Sequence, residues 1–99
     1  MKNKPLPQYL TLTADSVTVK LSKPTELNGI QQDSIRLRAP TVRDVRSAQA
    51  TGGDDDEQRE LNLFASLAEV APKDLESLVL KDYTRLQAGY FRLVQEDDV

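Results

Sequence analysis

Asn28-Gly29 does most to limit the folds open to this chain. A type I′ turn needs positive φ at both central residues, and Asn-Gly is the pair that best supplies it. Val17, Val19 and Leu21 alternate with Thr18 and Lys20 before the turn. Ile35 and Leu37 alternate with Arg36 and Arg38 after it. A two-residue period marks a half-buried strand. The two runs therefore predict an antiparallel hairpin with its aliphatic residues toward a core and Arg36 and Arg38 toward water. Tyr9-Leu10-Thr11-Leu12-Thr13 alternates as well and offers a further strand. Pro24 is expected to end the first strand of the hairpin, because proline has no N–H for the ladder. Pro40 is expected to end the second.

Beyond Pro40 the period lengthens to that of helices. Thr41 is placed to cap a helix, and Asp44 three residues later completes a capping-box pair. Val42, Val45 and Ala48 form its narrow apolar stripe, and Gly52-Gly53 ends it. Asp54-Asp55-Asp56-Glu57 puts negative charge where the next helix dipole is positive, predicting a helix over about 55–70. Ala71-Pro72 breaks it and opens a short third helix carrying Leu75, Leu78 and Val79. A fourth starts near Asp82, with Tyr83, Leu86, Tyr90, Leu93 and Val94 on one face. Gly89 interrupts that helix where a close contact would favour glycine. The fold class is α+β: a small N-terminal antiparallel sheet, then three to four helices packed on it. Residues 1–15 are expected to be a flexible arm, 16–95 a single domain, and 96–99 a frayed tail.

The chain has 99 residues, no cysteine and no histidine. Disulfides, thiolate metal sites and the commonest general base are excluded. The Asp54–Glu57 run lacks the alternating ligand spacing of a calcium loop. Gly52-Gly53 lacks the lysine and hydroxyl of a phosphate loop. No enzyme activity, metal or cofactor is expected. No apolar run approaches the roughly 20 residues of a membrane helix, and no apolar stretch follows the basic opening as a secretion leader would require. A cytoplasmic protein without membrane contact is expected.

Charge is divided unevenly. Residues 1–50 carry eight Lys/Arg against four Asp/Glu, a net of +4; residues 51–99 carry five against twelve, a net of −7. Lys20, Lys23, Arg36, Arg38, Arg43 and Arg46 could form one basic face. It reads either as ordinary solvated charge or as a phosphate-binding surface. An isoelectric point near 4.9 and the absence of interleaved aromatic residues count against nucleic acid.

Apolar patterning raises a different candidate. At about 100° per residue, Leu61, Phe64, Ala65 and Ala68 share one face of the second helix, and Leu63, Leu67 and Val70 an adjoining one. Together they span roughly 220°, more than a surface helix needs. Either the helix lies centrally with cover on two sides, or one flank docks a partner helix or another copy. Phe91 falls about 60° outside the stripe of its own helix and is expected to be exposed. Leu63, Leu67, Val70 and Phe91 are the candidate partner-binding residues. Asn28, Gly29, Pro40, Thr41 and Asp44 have structural turn and cap roles.

One ordered set of segments points further. Thr18-Val19-Lys20-Leu21 and Pro24 precede Glu26-Leu27-Asn28-Gly29. Ile35-Arg36-Leu37-Arg38, Ala39-Pro40-Thr41-Val42-Arg43-Asp44 and an acidic Leu-rich helix follow. Ala71-Pro72-Lys73-Asp74-Leu75 and Lys81-Asp82-Tyr83 complete the set. Over about residues 16–94 it resembles the tail assembly chaperones of Mu-like and related contractile-tailed phages. The resemblance implies a non-enzymatic protein of the host bacterial cytoplasm. Such a protein binds the tape measure protein, keeps it soluble until tube subunits replace the chaperone, and is absent from the finished virion. It further implies self-association and a longer frameshifted form that could meet tail tube subunits. The other reading is a small phage-encoded nucleic-acid-binding regulator using the basic front half.

Overall fold

A computed structural model describes residues 6–95. Three strands, β1 (Leu10–Leu12), β2 (Ser16–Leu27) and β3 (Ile30–Arg38), precede four helices. These are α1 (Val42–Gly52), α2 (Asp56–Ala68), α3 (Pro72–Glu76) and α4 (Leu80–Val94). The sheet is antiparallel in the order β1-β2-β3. The architecture is therefore α+β.

The hairpin forms where the sequence places it. Asn28 has φ 55° and Gly29 φ 78°, and Leu27 pairs with Ile30 across the turn. Val17 lies opposite Leu37 and Val19 opposite Ile35. All four are buried, so one sheet face forms the floor of the core. Thr18 faces Arg36 and Lys20 faces Ser34 on the other side.

Two expectations about the strands change. Residues 10–12 do not belong to an arm: Leu10 pairs with Val19 and Leu12 with Val17. The Lys20 amide also donates to the Tyr9 carbonyl at 2.8 Å. Leu10 is buried, and its apolar contact holds the strand in place. The parts of the expected arm and tail at residues 1–5 and 96–99 lie outside the described residues. Pro24 does not end β2. It sits within a register shift, where five residue steps from Lys20 to Thr25 oppose two from Ser34 to Gln32. In that bulge the missing N–H removes no ladder bond, as proline in a strand requires.

Helix α2 packs against α1, α3 and β3, while α4 crosses β2 and β1. The Phe64 ring lies between them, 5.8 Å from Tyr83 and 5.2 Å from Tyr90. Gly89 sets the seating of α4. A Cβ there would stand 3.0 Å from Val19 Cγ2 and 3.2 Å from Leu10 Cδ2. The expected close contact is thus with the sheet.

The helix boundaries follow their caps. Thr41 accepts from the Asp44 amide and Asp44 from the Thr41 amide, which is the expected capping box directly after Pro40. Gly53 closes α1 at φ 61°. Asp55 caps α2 by accepting from the Glu57 and Gln58 amides. Helix α2 stops at Ala68 because Glu69 takes a left-handed conformation, φ 61°. Helix α4 starts two residues before Asp82. Val42, assigned to the inner stripe of α1, is 77% exposed; α1 covers α2 with Val45 and Ala48 instead.

Candidate functional site

The partner-binding residues expected from the sequence separate in the structure. Leu63 and Leu67 are buried, Val70 is half-buried against the core, and Phe91 is 61% exposed. The wide apolar arc of α2 is core because α1, α3 and β3 all pack against it. Leu63 and Leu67 are thus not a free surface; Phe91 is.

Phe91 has company. Apart from Lys81, the exposed residues of α4 recur as Leu80, Thr84, Gln87, Phe91 and Val94, alternating steps of four and three. Such residues lie within one narrow stripe of a helix. Val94, assigned to the inner face, is 46% exposed and belongs here. The stripe carries no charge and has apolar residues at both ends. Helix α4 therefore has an apolar face covered by the sheet and, opposite it, an uncharged stripe that is apolar at its ends and carries Thr84 and Gln87 in its middle.

Beside the Leu80 end lies a cleft of about 490 Å³. Leu61, Leu75, Leu78 and Tyr83 form its floor, and Asp55, Glu57, Glu60 and Glu76 bring four carboxylates to it, with no Lys or Arg in the lining. Leu80 stands at the margin, 78% exposed. Glu60 accepts from the Tyr83 hydroxyl and from Gln87 Nε2, both at 2.9 Å. Burial, reinforced by this carboxylate, pushes the Tyr83 phenol far above its ordinary range; burial and Glu60 also raise Tyr90. Glu57 and Glu76 are exposed.

Three of the six basic residues, Lys20, Arg36 and Arg38, share the open side of the sheet, but Arg38 is held by Asp44 at 2.7 and 3.1 Å. That bond, with the Thr41 amide, holds the Asp44 carboxyl far below the carboxylate range. Lys20 lies 3.8 Å from Asp33. Lys23 sits in the bulge of β2. Arg43 and Arg46 stand apart on α1, exposed and facing a shallow groove with Val42, Ser47 and Ala50.

Asp82 is a linking residue that no sequence motif marks. Its side chain is fully buried and accepts from the Ser22 amide at 2.8 Å and the Lys23 amide at 3.2 Å. These donors are freed by the bulge around Pro24. Burial raises the carboxyl pKa, but the bonds from Ser22 and Lys23, aided by Arg85, outweigh it and leave Asp82 below its ordinary value. A signal was present: Asp82 lies four residues before Leu86 and seven before Gly89, on the stripe the helix buries. Arg85, one turn on, donates to the Lys20 carbonyl at 2.9 Å and covers the Tyr9 ring at 4.6 Å.

Among the described residues no cluster of three or more acidic side chains is arranged to hold a metal ion. No described helix is long and apolar enough to cross a membrane.

Fold and surface define a small α+β module with an uncharged outer stripe on α4 and an acidic cleft beside it. A family model described as "Phage tail assembly chaperone proteins, E, or 41 or 14" matches residues 18–95. The chain belongs to this phage tail assembly chaperone family. No curated protein and no solved structure matches it significantly.

Proposed function

We propose that this protein binds the phage tape measure protein in the host cytoplasm, keeps it soluble until tail tube subunits take over, and leaves before the virion is complete. The observation that carries the reading is the uncharged outer stripe of α4, with Phe91 and Val94 exposed at one end. An apolar face of this kind is the usual mark of a partner site, and a long helical client would lay its own apolar face along it. Membership of the chaperone family supports the client's identity. Coating a long chain takes many copies, so copies of the chaperone touch one another. A longer frameshifted form would add a contact to tail tube subunits.

The test is co-expression with the phage's tape measure protein. Soluble co-purification is expected with the natural chain. Phe91→Ser should leave the thermal midpoint nearly unchanged and abolish co-purification. Leu63→Ser should unfold the domain, because Leu63 is core. Co-purification unaffected by Phe91→Ser would remove the stripe from the model. Retention on DNA that falls steeply with salt, with no client binding, would favour the regulator instead.

A further inference from the structure

We infer that the acidic cleft between α2, α3 and α4 receives the outer face of α1 from a second copy of this chain. The inference rests on the many-copy part of the proposed function and assigns the surfaces.

Both halves of the contact are present on one molecule. The cleft has an apolar floor, exposed Glu57 and Glu76 on its rim, and Leu80 at its margin. The outer face of α1 has Arg43 and Arg46, with Val42 at its start and Ala50 at its end. Val42 and Leu80 are the two most exposed large apolar side chains among the described residues, at 77% and 78%. Val42 shares the α1 face with Arg43 and Arg46, and Leu80, although followed by exposed Lys81, borders the carboxylate-lined cleft. The Arg43 and Arg46 side chains make no hydrogen bond or ion pair with any described residue, in contrast to Arg38. Seating α1 in the cleft would bring arginine to carboxylate at the rim and Val42 against the apolar margin.

The occupant must come from another copy. Val45 and Ala48 hold the inner side of α1 against α2. At 100° per residue Arg43, Arg46 and Ala50 lie on the opposite side, facing away from the body that contains the cleft. The two surfaces are different patches, so the contact is head-to-tail and leaves a free cleft on one copy and a free α1 face on the other.

Three versions of the full-length chain test this by sedimentation velocity without any client. The natural chain should associate with rising concentration, and added salt should weaken the association because exposed charges are screened. Arg43→Glu/Arg46→Glu removes the α1 face and keeps the cleft. Glu57→Lys/Glu76→Lys does the reverse. All four positions are exposed, and circular dichroism melts verify folding; if a charge reversal unfolds the chain, Gln replaces Glu or Lys. Each double variant alone should be monomeric, with its dissociation constant raised about tenfold or more. Mixed together they should form a one-to-one dimer through the natural cleft of one and the natural α1 face of the other, and should extend in alternating order where the two reversed surfaces, again opposite in charge, also pair. A monomeric natural chain overturns the inference. So do unaltered association of either variant and failure of the mixture to pair. Client co-purification is scored separately, so losing the client while the mixed dimer persists would count against the chaperone reading alone.

Discussion

Single residues here join elements distant in sequence. Asp82 is the clearest case, a carboxylate on α4 that holds two amides of a bulge in β2. Removing it takes the partner from two part-buried donors, at a cost of up to roughly 1–3 kcal/mol each. Asp82→Ala should therefore lower the denaturation midpoint sharply, and Asp82→Asn should recover only part of the loss, because an amide presents one acceptor oxygen. Equilibrium urea unfolding checks both. Asp44 works in the same manner over a shorter distance, capping α1 while gripping Arg38 at the end of β3. Its partner Thr41 is the simpler test. Thr41→Ala should remove about 0.5–2 kcal/mol, as a lost N-cap does, and an unchanged urea midpoint would contradict it. Asn28 adds a third link. Besides forming the turn, its amide donates to Asp74 and its side chain to the Glu69 carbonyl, each at 3.1 Å.

At the scale of elements, what was legible in the sequence had a local cause. The hairpin needs only Asn28-Gly29 and two alternating runs, and α1 needs only Thr41 and Asp44. Those features appear where the residues place them. The failures had non-local causes. Pro24 stays inside β2 because Asp82, distant in the chain, satisfies the bulge. Leu63 and Leu67 are buried because α2 has neighbours on more than one side, α1 and β3 among them, and no period in α2 records that. Val42 and Val94 were assigned inward from spacing alone, at helix ends where a neighbour's edge decides exposure. Phe91 was legible because an apolar residue far from its helix's main stripe has little to pack against. Gly89 shows sequence and packing meeting. Alanine would gain about 1 kcal/mol of helix propensity, but a Cβ at 3.0 Å from Val19 overpacks the sheet contact, which typically costs about 1–3 kcal/mol. Gly89→Ala should thus be neutral to destabilising by up to about 2 kcal/mol, and Gly89→Leu should be far worse. Thermal melts of the pair settle the order; a stabilising Gly89→Leu would show that α4 is not seated there.

The molecule as a whole carries its pH response at both ends of the scale. Asp44 and Asp82 have folded pKa values below their unfolded ones. Their contribution is complete above the unfolded value of about 3.9 and is lost as pH falls through the folded values. Tyr83 and Tyr90 are shifted upward, so their contribution is complete below about pH 10 and is lost as pH rises beyond it. Stability measured against pH should therefore show a plateau with two falling edges. Asp82→Asn should shrink the acid edge relative to the plateau, and Tyr83→Phe the alkaline one. An acid edge unaltered by Asp82→Asn would mean that Asp82 is neutral in the folded protein. The bond between Ser22 and Asp82 spans 60 residues. It also bears on the order in which the chain becomes structured. Contacts that close long loops form late, after their entropy loss has been met. Until α4 has emerged from the ribosome, the bulge of β2 has open amides and the inner sheet face lacks part of its cover. The nascent hairpin therefore has no stable resting state of its own, and the domain should acquire its structure in a single late step.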